Sequence, residues 1–100
     1  MSVAYLTGDV NGIKLVSGIM TTGTFTGAGW TSVGVTFPIT FSNVPEVGFV
    51  GELGTGGFVF GHQRILKDSC TTTGFSIQFE IETAPSPAGN MKWYWWAVGR

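Results

Sequence analysis

The sequence predicts an all-β protein, a roughly six-stranded antiparallel β-sandwich. Three observations favour this class. Apolar and polar residues alternate with a period of two in several segments, and no segment shows the period of a helix. The chain contains 16 glycines, many threonines and 14% aromatic residues, which is typical of strands joined by tight turns. Turn residues also separate the apolar segments at short intervals, as they do in β-sandwiches.

Composition limits the organisation of the chain and its partners. One hundred residues suffice for one domain, and we divide the chain into a lead-in or linker (residues 1–12) and a β-sandwich domain (residues 13–100). Charged residues make up only 11% and the net charge is −1, so no basic surface for nucleic acid is expected. No apolar run is long enough for membrane insertion. Cys70 is the single cysteine, which excludes an internal disulfide.

The N-terminal half contains three predicted strands. Residues 1–12 show no sustained period, and they are expected to join the domain to a preceding segment. Residues 13–20 form the first predicted strand, and a Thr/Gly-rich loop follows. Residues 30–41 alternate strictly, although Pro38 indicates an edge position or a bulge because proline cannot donate to a strand ladder. Residues 47–53 form the third strand.

The fourth predicted strand covers residues 58–67. His62 and Arg64 share a side of it, unless a bulge at Gly61 shifts the register. The fifth strand alternates most clearly, with four apolar side chains pointing inward: Phe75, Ile77, Phe79 and Ile81. A loop containing two prolines (residues 84–90) leads to the last strand.

The last strand, residues 91–100, is apolar on both faces. Trp93, Trp95 and Ala97 point one way, and Tyr94, Trp96 and Val98 point the other. An antiparallel strand normally has one polar face, so this strand needs two covers. The domain's own core supplies one, and we expect a second copy of the protein or a ligand to supply the other. We assign Tyr94 and Trp96 to the core, and Trp93 and Trp95 to a trimer contact or a ligand.

Four motifs occur together in a characteristic order. They are Gly29–Trp30 after the Thr/Gly loop, residues 35–45, Thr72–Thr73–Gly74–Phe75, and residues 94–99. This order resembles the C-terminal domains of bacteriophage tail fibres and receptor-binding proteins. It is also similar to the H-type lectin domain of snail agglutinins and discoidins. The resemblance covers approximately residues 16–100.

The resemblance implies a six-stranded antiparallel sandwich that trimerises and binds sugars near the junction between protomers. The arginine that H-type lectins carry on the fourth strand corresponds to Arg64. Two other family positions differ. Residues 26–28 supply no acidic residue before Gly29–Trp30, and residues 82–84 replace a Trp–His pair. These differences favour a phage domain with its own receptor specificity over the sugar preference of the snail lectins.

The candidate ligand-binding residues are Trp30, His62, Arg64, Glu82 and Trp95. His62 and Arg64 could donate hydrogen bonds to sugar hydroxyls or to an acidic glycan group. Alternatively they form a structural pair at a subunit junction, satisfied by Asp68, Glu52 or main-chain carbonyls. The tryptophans could stack on pyranose rings or simply pack. Glu82 ends the fifth strand beside the proline loop, where it could contact a ligand.

Catalysis, metal and cofactor are not expected. Glu80 and Glu82 are the only pair that would suit a glycosidase, but two carboxylates side by side on one flat strand cannot readily flank a scissile bond. Cys70 would need His62, the only histidine, and a third group to act as a nucleophile. One cysteine and one histidine are too few zinc ligands within one chain. A metal shared through His62 on a threefold axis is the remaining alternative.

We therefore predict the tip domain of a phage tail fibre. It would bind a host cell-surface polysaccharide or other glycan as a homotrimer, without catalysis, and connect to upstream fibre or baseplate segments. It would be made in the host cytoplasm and reside in the virion, at the tail fibre or baseplate tip. The alternatives are a free H-type-like lectin and a purely structural trimerisation knob of a fibre. A small glycan hydrolase is the least favoured alternative.

Overall fold

The computed structural model describes residues 2–21, 29–53, 60–81 and 91–100, which form two antiparallel sheets. The strand order is β1-β2-β7-β4 in the four-stranded sheet and β3-β6-β5 in the three-stranded sheet. The predicted all-β sandwich is confirmed, with one more strand than expected. The strands are β1 (Ser2–Val10), β2 (Ile13–Thr21), β3 (Gly29–Thr36), β4 (Glu46–Leu53), β5 (Phe60–Ile65), β6 (Gly74–Ile81) and β7 (Met91–Gly99).

The additional strand is β1, which lies in the segment expected to be a lead-in. It pairs with β2 as an antiparallel hairpin that closes at Val10 and Ile13. Asn11 and Gly12 form the turn with φ values of 54° and 78°, and positive φ at both central residues is what a type I′ hairpin turn requires. Residues 2–10 are thus part of the four-stranded sheet, and their connection to a preceding segment stays a prediction.

The core lies between the two sheets. Rings from β6 meet rings from β7, with centroid distances of 5.0 Å between Phe79 and Trp93 and 6.2 Å between Phe75 and Trp95. The apolar side chains of β6 point inward as its alternation predicted, for Phe75, Ile77 and Phe79. The buried apolar cluster consists of Val16, Met20, Val35, Phe37, Phe41, Phe75, Ile77, Phe79, Trp93, Trp95 and Ala97.

The segment after β3 contributes to this core without being a strand. The strand predicted over residues 30–41 ends at Thr36. Beyond it, the amide of Phe37 donates to the Thr73 carbonyl at 2.8 Å, and the amide of Phe41 donates to the Thr72 carbonyl at 2.9 Å. Both phenylalanines stay buried. The apolar alternation therefore predicted the buried side chains correctly, but loop hydrogen bonds replace the sheet ladder around Pro38.

The buried and exposed faces of β7 are the reverse of those predicted. Trp93 and Trp95 are buried in the core, whereas Tyr94 and Trp96 lie on the outer face with 38% and 40% of their surface exposed. The prediction that Tyr94 and Trp96 form the core was wrong. Alternation shows which side chains share a face, but it cannot show which face meets the core when both are apolar.

No helix in the described part of the chain is long and apolar enough to cross a membrane.

Candidate functional site

The candidate site lies on the outer face of the three-stranded sheet. We call it the Trp30 cluster: Trp30 from β3, His62 and Arg64 from β5, and Gln78 and Glu80 from β6. The alternation of β6 creates this face, because burial of Phe75, Ile77 and Phe79 turns Gln78 and Glu80 outward. The sheet register then aligns the cluster, since Trp30 pairs with Glu80 and Arg64 pairs with Gln78.

A register shift in β5 determines which of its side chains join the cluster. The pairing of β5 with β6 shifts between Phe60 and Gln63, a segment that contains the glycine at which a bulge was considered. His62 and Arg64 are exposed as a result. Gln63 points inward instead, and its Oε1 accepts a hydrogen bond of 2.8 Å from Nε1 of the buried Trp93. The irregularity thus presents two basic residues on the outer face.

Arg64 is held by two contacts within the cluster. Its Cζ lies 4.3 Å from the ring centroid of Trp30, which is a cation–π distance. Its Nε donates a hydrogen bond of 2.9 Å to Oε1 of Gln78. The two contacts hold the guanidinium between the indole of β3 and the amide of β6. The cation is therefore positioned on an open surface before any ligand arrives.

His62 contacts Glu80, the acidic member of the cluster. Its Nδ1 lies 3.4 Å from Oε1 of Glu80, and 83% of its side chain is exposed. The imidazole is also nearly parallel to the Trp30 indole, with ring centroids 6.4 Å apart and an interplanar angle of 20°. The Glu80 carboxylate thus contacts the histidine and not the arginine.

The structure brings together Trp30, His62 and Arg64 and separates the other predicted site residues. Trp95 is 2% exposed in the core beside Phe37, so its assignment as a ligand-binding residue is wrong. Glu82 lies outside the described residues, as do the proline loop beside it and residues 22–28 of the Thr/Gly loop predicted over residues 21–29. Sequence analysis missed the supporting role of Gln78, although the alternation of β6 had already placed it outward.

Other reactive groups in the described ranges do not form a centre. No three His, Cys, Asp or Glu side chains there are close enough to hold a metal ion. Cys70 lies apart from the cluster, and its thiol donates a hydrogen bond of 3.5 Å from Sγ to the carbonyl oxygen of Pro45. Burial raises the pKa of the Cys70 thiol above its ordinary value, which disfavours the nucleophilic thiolate.

Comparison with known proteins relates this fold to pyocin tail fibres. The chain is similar to a C-terminal part of the R1 pyocin fibre of P. aeruginosa, with a TM-score of 0.58, 20% identity and 98% of this chain covered. It is also similar to an N-truncated R1-type pyocin tail fibre, with a TM-score of 0.54 and 19% identity over 98% of this chain and 86% of that chain. The chain spans 28% of the first of these structures.

Sequence comparisons do not identify a family for this chain. No protein-family model matches the chain. No curated protein matches it either. At 19–20% identity the structural likeness shows the fold alone, a β-sandwich similar to a part of these pyocin fibres. The similarity to H-type lectins stays a prediction.

Proposed function

We propose that this chain is a tail-fibre tip domain of a phage or phage-tail-like particle, which binds a host cell-surface glycan as a homotrimer without catalysis. The observation that carries the proposal is the similarity of 98% of the chain to pyocin tail fibres. The domain would reside in the virion at the tail fibre or baseplate tip after production in the host cytoplasm. Upstream fibre or baseplate segments are its expected structural partners.

The Trp30 cluster supports glycan binding. It combines a half-exposed indole with donors from His62 and Arg64 on an open sheet face, the residue types that contact sugar hydroxyls and ring faces. Glu80 contacts His62 at 3.4 Å, which supports a role for this carboxylate in holding the cluster. Weak contacts at one cluster would be multiplied by three copies per trimer.

The outer face of the four-stranded sheet supports the trimer. Trp96 pairs with Gly48 across β7 and β4, and its indole lies against that glycine so closely that a Cβ there would overlap the ring. Around it the face carries large apolar side chains that are partly exposed, namely Ile13, Leu15, Val50, Tyr94 and Val98. We call this surface the Trp96 face. It is the second face of β7, the one that the core does not cover.

The size of the Trp96 face fits a second copy of the chain. Four strands spaced about 4.8 Å apart and about nine residues long give a projected area of roughly 600 Å². Stable interfaces bury roughly 800 Å² of accessible surface per partner, so this sheet face is large enough to supply most of an interface with another copy. Only 11% of all residues are charged, which also favours a chain that hides part of its surface in an assembly.

Glycan binding by the assembled protein tests this function. The wild-type chain is expected to bind at least one class of glycan on an array and to bind host cells, and Arg64→Ala is expected to weaken both. Lys67→Ala is the matched control, because Lys67 is an exposed cation paired with Asp68 in the turn after β5. A trimer that binds no glycan would instead support the structural knob, for which the Trp96 face alone suffices.

A further inference from the structure

We infer that the Trp30 cluster binds an anionic glycan, and that Arg64 receives a carboxylate or phosphate group of the sugar. This inference rests on the proposed function and adds the chemical class of the ligand. It follows from three features of the cluster: the ion pairs among its charged residues, the N–H groups of Arg64 that have no partner within the cluster, and the contact of Arg64 with one face of the Trp30 indole.

The charge of Arg64 has no acidic partner among the side chains that the structure describes, which do not include those of Glu52 and Glu82. The ion pairs among the described side chains join His62 to Glu80 and Lys67 to Asp68. Arg64 donates instead to the neutral amide oxygen of Gln78. The amide oxygen of Gln78 accepts the Nε–H hydrogen bond, but it is neutral and does not cancel the positive charge of Arg64. The cluster therefore holds an exposed guanidinium in a fixed position and leaves its charge for a ligand.

The remaining donors of Arg64 suit an anion with two oxygens. Because Nε already donates to Gln78, the N–H groups that remain belong to Nη1 and Nη2. These two nitrogens form one end of the planar guanidinium and can donate two parallel hydrogen bonds to a carboxylate or a phosphate. One sugar hydroxyl offers a single oxygen, and two neighbouring hydroxyls accept the pair of bonds but carry no charge to balance the guanidinium. The uncancelled charge of Arg64, together with this geometry, thus favours a charged group over a neutral sugar.

The indole of Trp30 is already in use. The guanidinium of Arg64 lies 4.3 Å from its ring centroid, so one face of the ring is covered and is not available to stack on a pyranose. The expectation of an open stacking platform applies only to the other face. Recognition at this cluster therefore depends more on the cation that Trp30 holds than on aromatic stacking.

Matched glycan pairs test the inference. Wild-type protein is applied to an array on which acidic glycans stand beside the same glycans after carboxyl esterification, carboxyl reduction or enzymatic removal of phosphate. We expect the acidic member of a pair to bind about 10-fold better or more, the usual effect of charge-assisted hydrogen bonds. Rising ionic strength is expected to reduce this preference, since the pair is exposed to solvent. Arg64→Gln is expected to abolish it.

The control and the contrary outcomes keep the two proposals separate. Lys67→Gln removes one exposed positive charge from the neighbouring turn and is expected to keep the preference for acidic glycans. Equal binding of neutral and acidic members, or a preference that survives in Arg64→Gln, would overturn the inference and leave glycan binding standing. No binding to any glycan by the wild-type trimer would overturn the proposed function and the inference together.

Discussion

Replacement of Gln63 by leucine tests the register shift that turns His62 and Arg64 outward. Trp93 is fully buried, and its Nε1 donates to Gln63 Oε1 at 2.8 Å. Leucine has no acceptor, so the indole N–H would lose its partner in the core. A buried donor without a partner costs about 1–3 kcal/mol of unfolding free energy. For a domain of about 100 residues this lowers the melting temperature by roughly 5–20 °C.

The assay is urea and thermal unfolding at one fixed protomer concentration, because self-association makes stability depend on concentration. Gln78→Leu is the matched control. It makes the same substitution on the outer face, where Gln78 bonds the exposed Arg64, and it is expected to change the unfolding free energy by less than about 0.5 kcal/mol. If Gln63→Leu is as stable as this control, Gln63 does not face the core and the placement of the shift is wrong.

Three further substitutions or reactions test other parts of the structure. Trp95→Ala is expected to lower the unfolding free energy by about 3–5 kcal/mol in urea, and a negligible loss would contradict its burial in the core. Gly48→Val would displace the Trp96 indole from β4; we expect altered near-UV circular dichroism and weaker self-association, and an unchanged spectrum would refute the contact. Burial raises the pKa of the Cys70 thiol. We therefore expect the thiol to be alkylated more slowly in the folded protein than in the urea-unfolded protein at mildly alkaline pH, and equal rates would contradict the burial of Cys70.

The raised pKa of Cys70 also has a defined consequence for stability. The folded chain holds the thiol proton more tightly than the unfolded chain does, so this contribution to stability is fully present below the ordinary pKa of the thiol. It is lost as the pH rises through the folded-state value. Neutral and acidic conditions should therefore show no effect of Cys70→Ser on the pH dependence of unfolding, whereas alkaline conditions should.

Sequence periodicity was sufficient to predict the buried face of a strand where the opposite face is polar. In β6 the alternation of apolar and polar residues predicted both the buried face and the outward position of Gln78 and Glu80. It was insufficient in β7, where either set of side chains could fill a core. The structure decides between them through contacts that are distant in sequence, such as Phe79 with Trp93 and Gly48 with Trp96.

Local signals explain the other differences. Asn11–Gly12 is a strong hairpin dipeptide, but the residues before it show no sustained alternation that would predict a strand there. The shift in β5 was anticipated at Gly61, but sequence could not show that Gln63 turns inward to bond Trp93. The contacts that Arg64 makes with Trp30 and Gln78 join three strands. Such a site could be suspected residue by residue, but its geometry depends on the sheet register.

Native mass spectrometry of the wild-type chain tests whether sister chains cover the Trp96 face. We expect a species of three times the 10.6 kDa chain mass. Trp96→Asp, at a side chain that is already 40% exposed, is expected to convert this species to folded single chains. A wild-type protein that remains a single folded chain at every concentration used in the binding assays would contradict the claim.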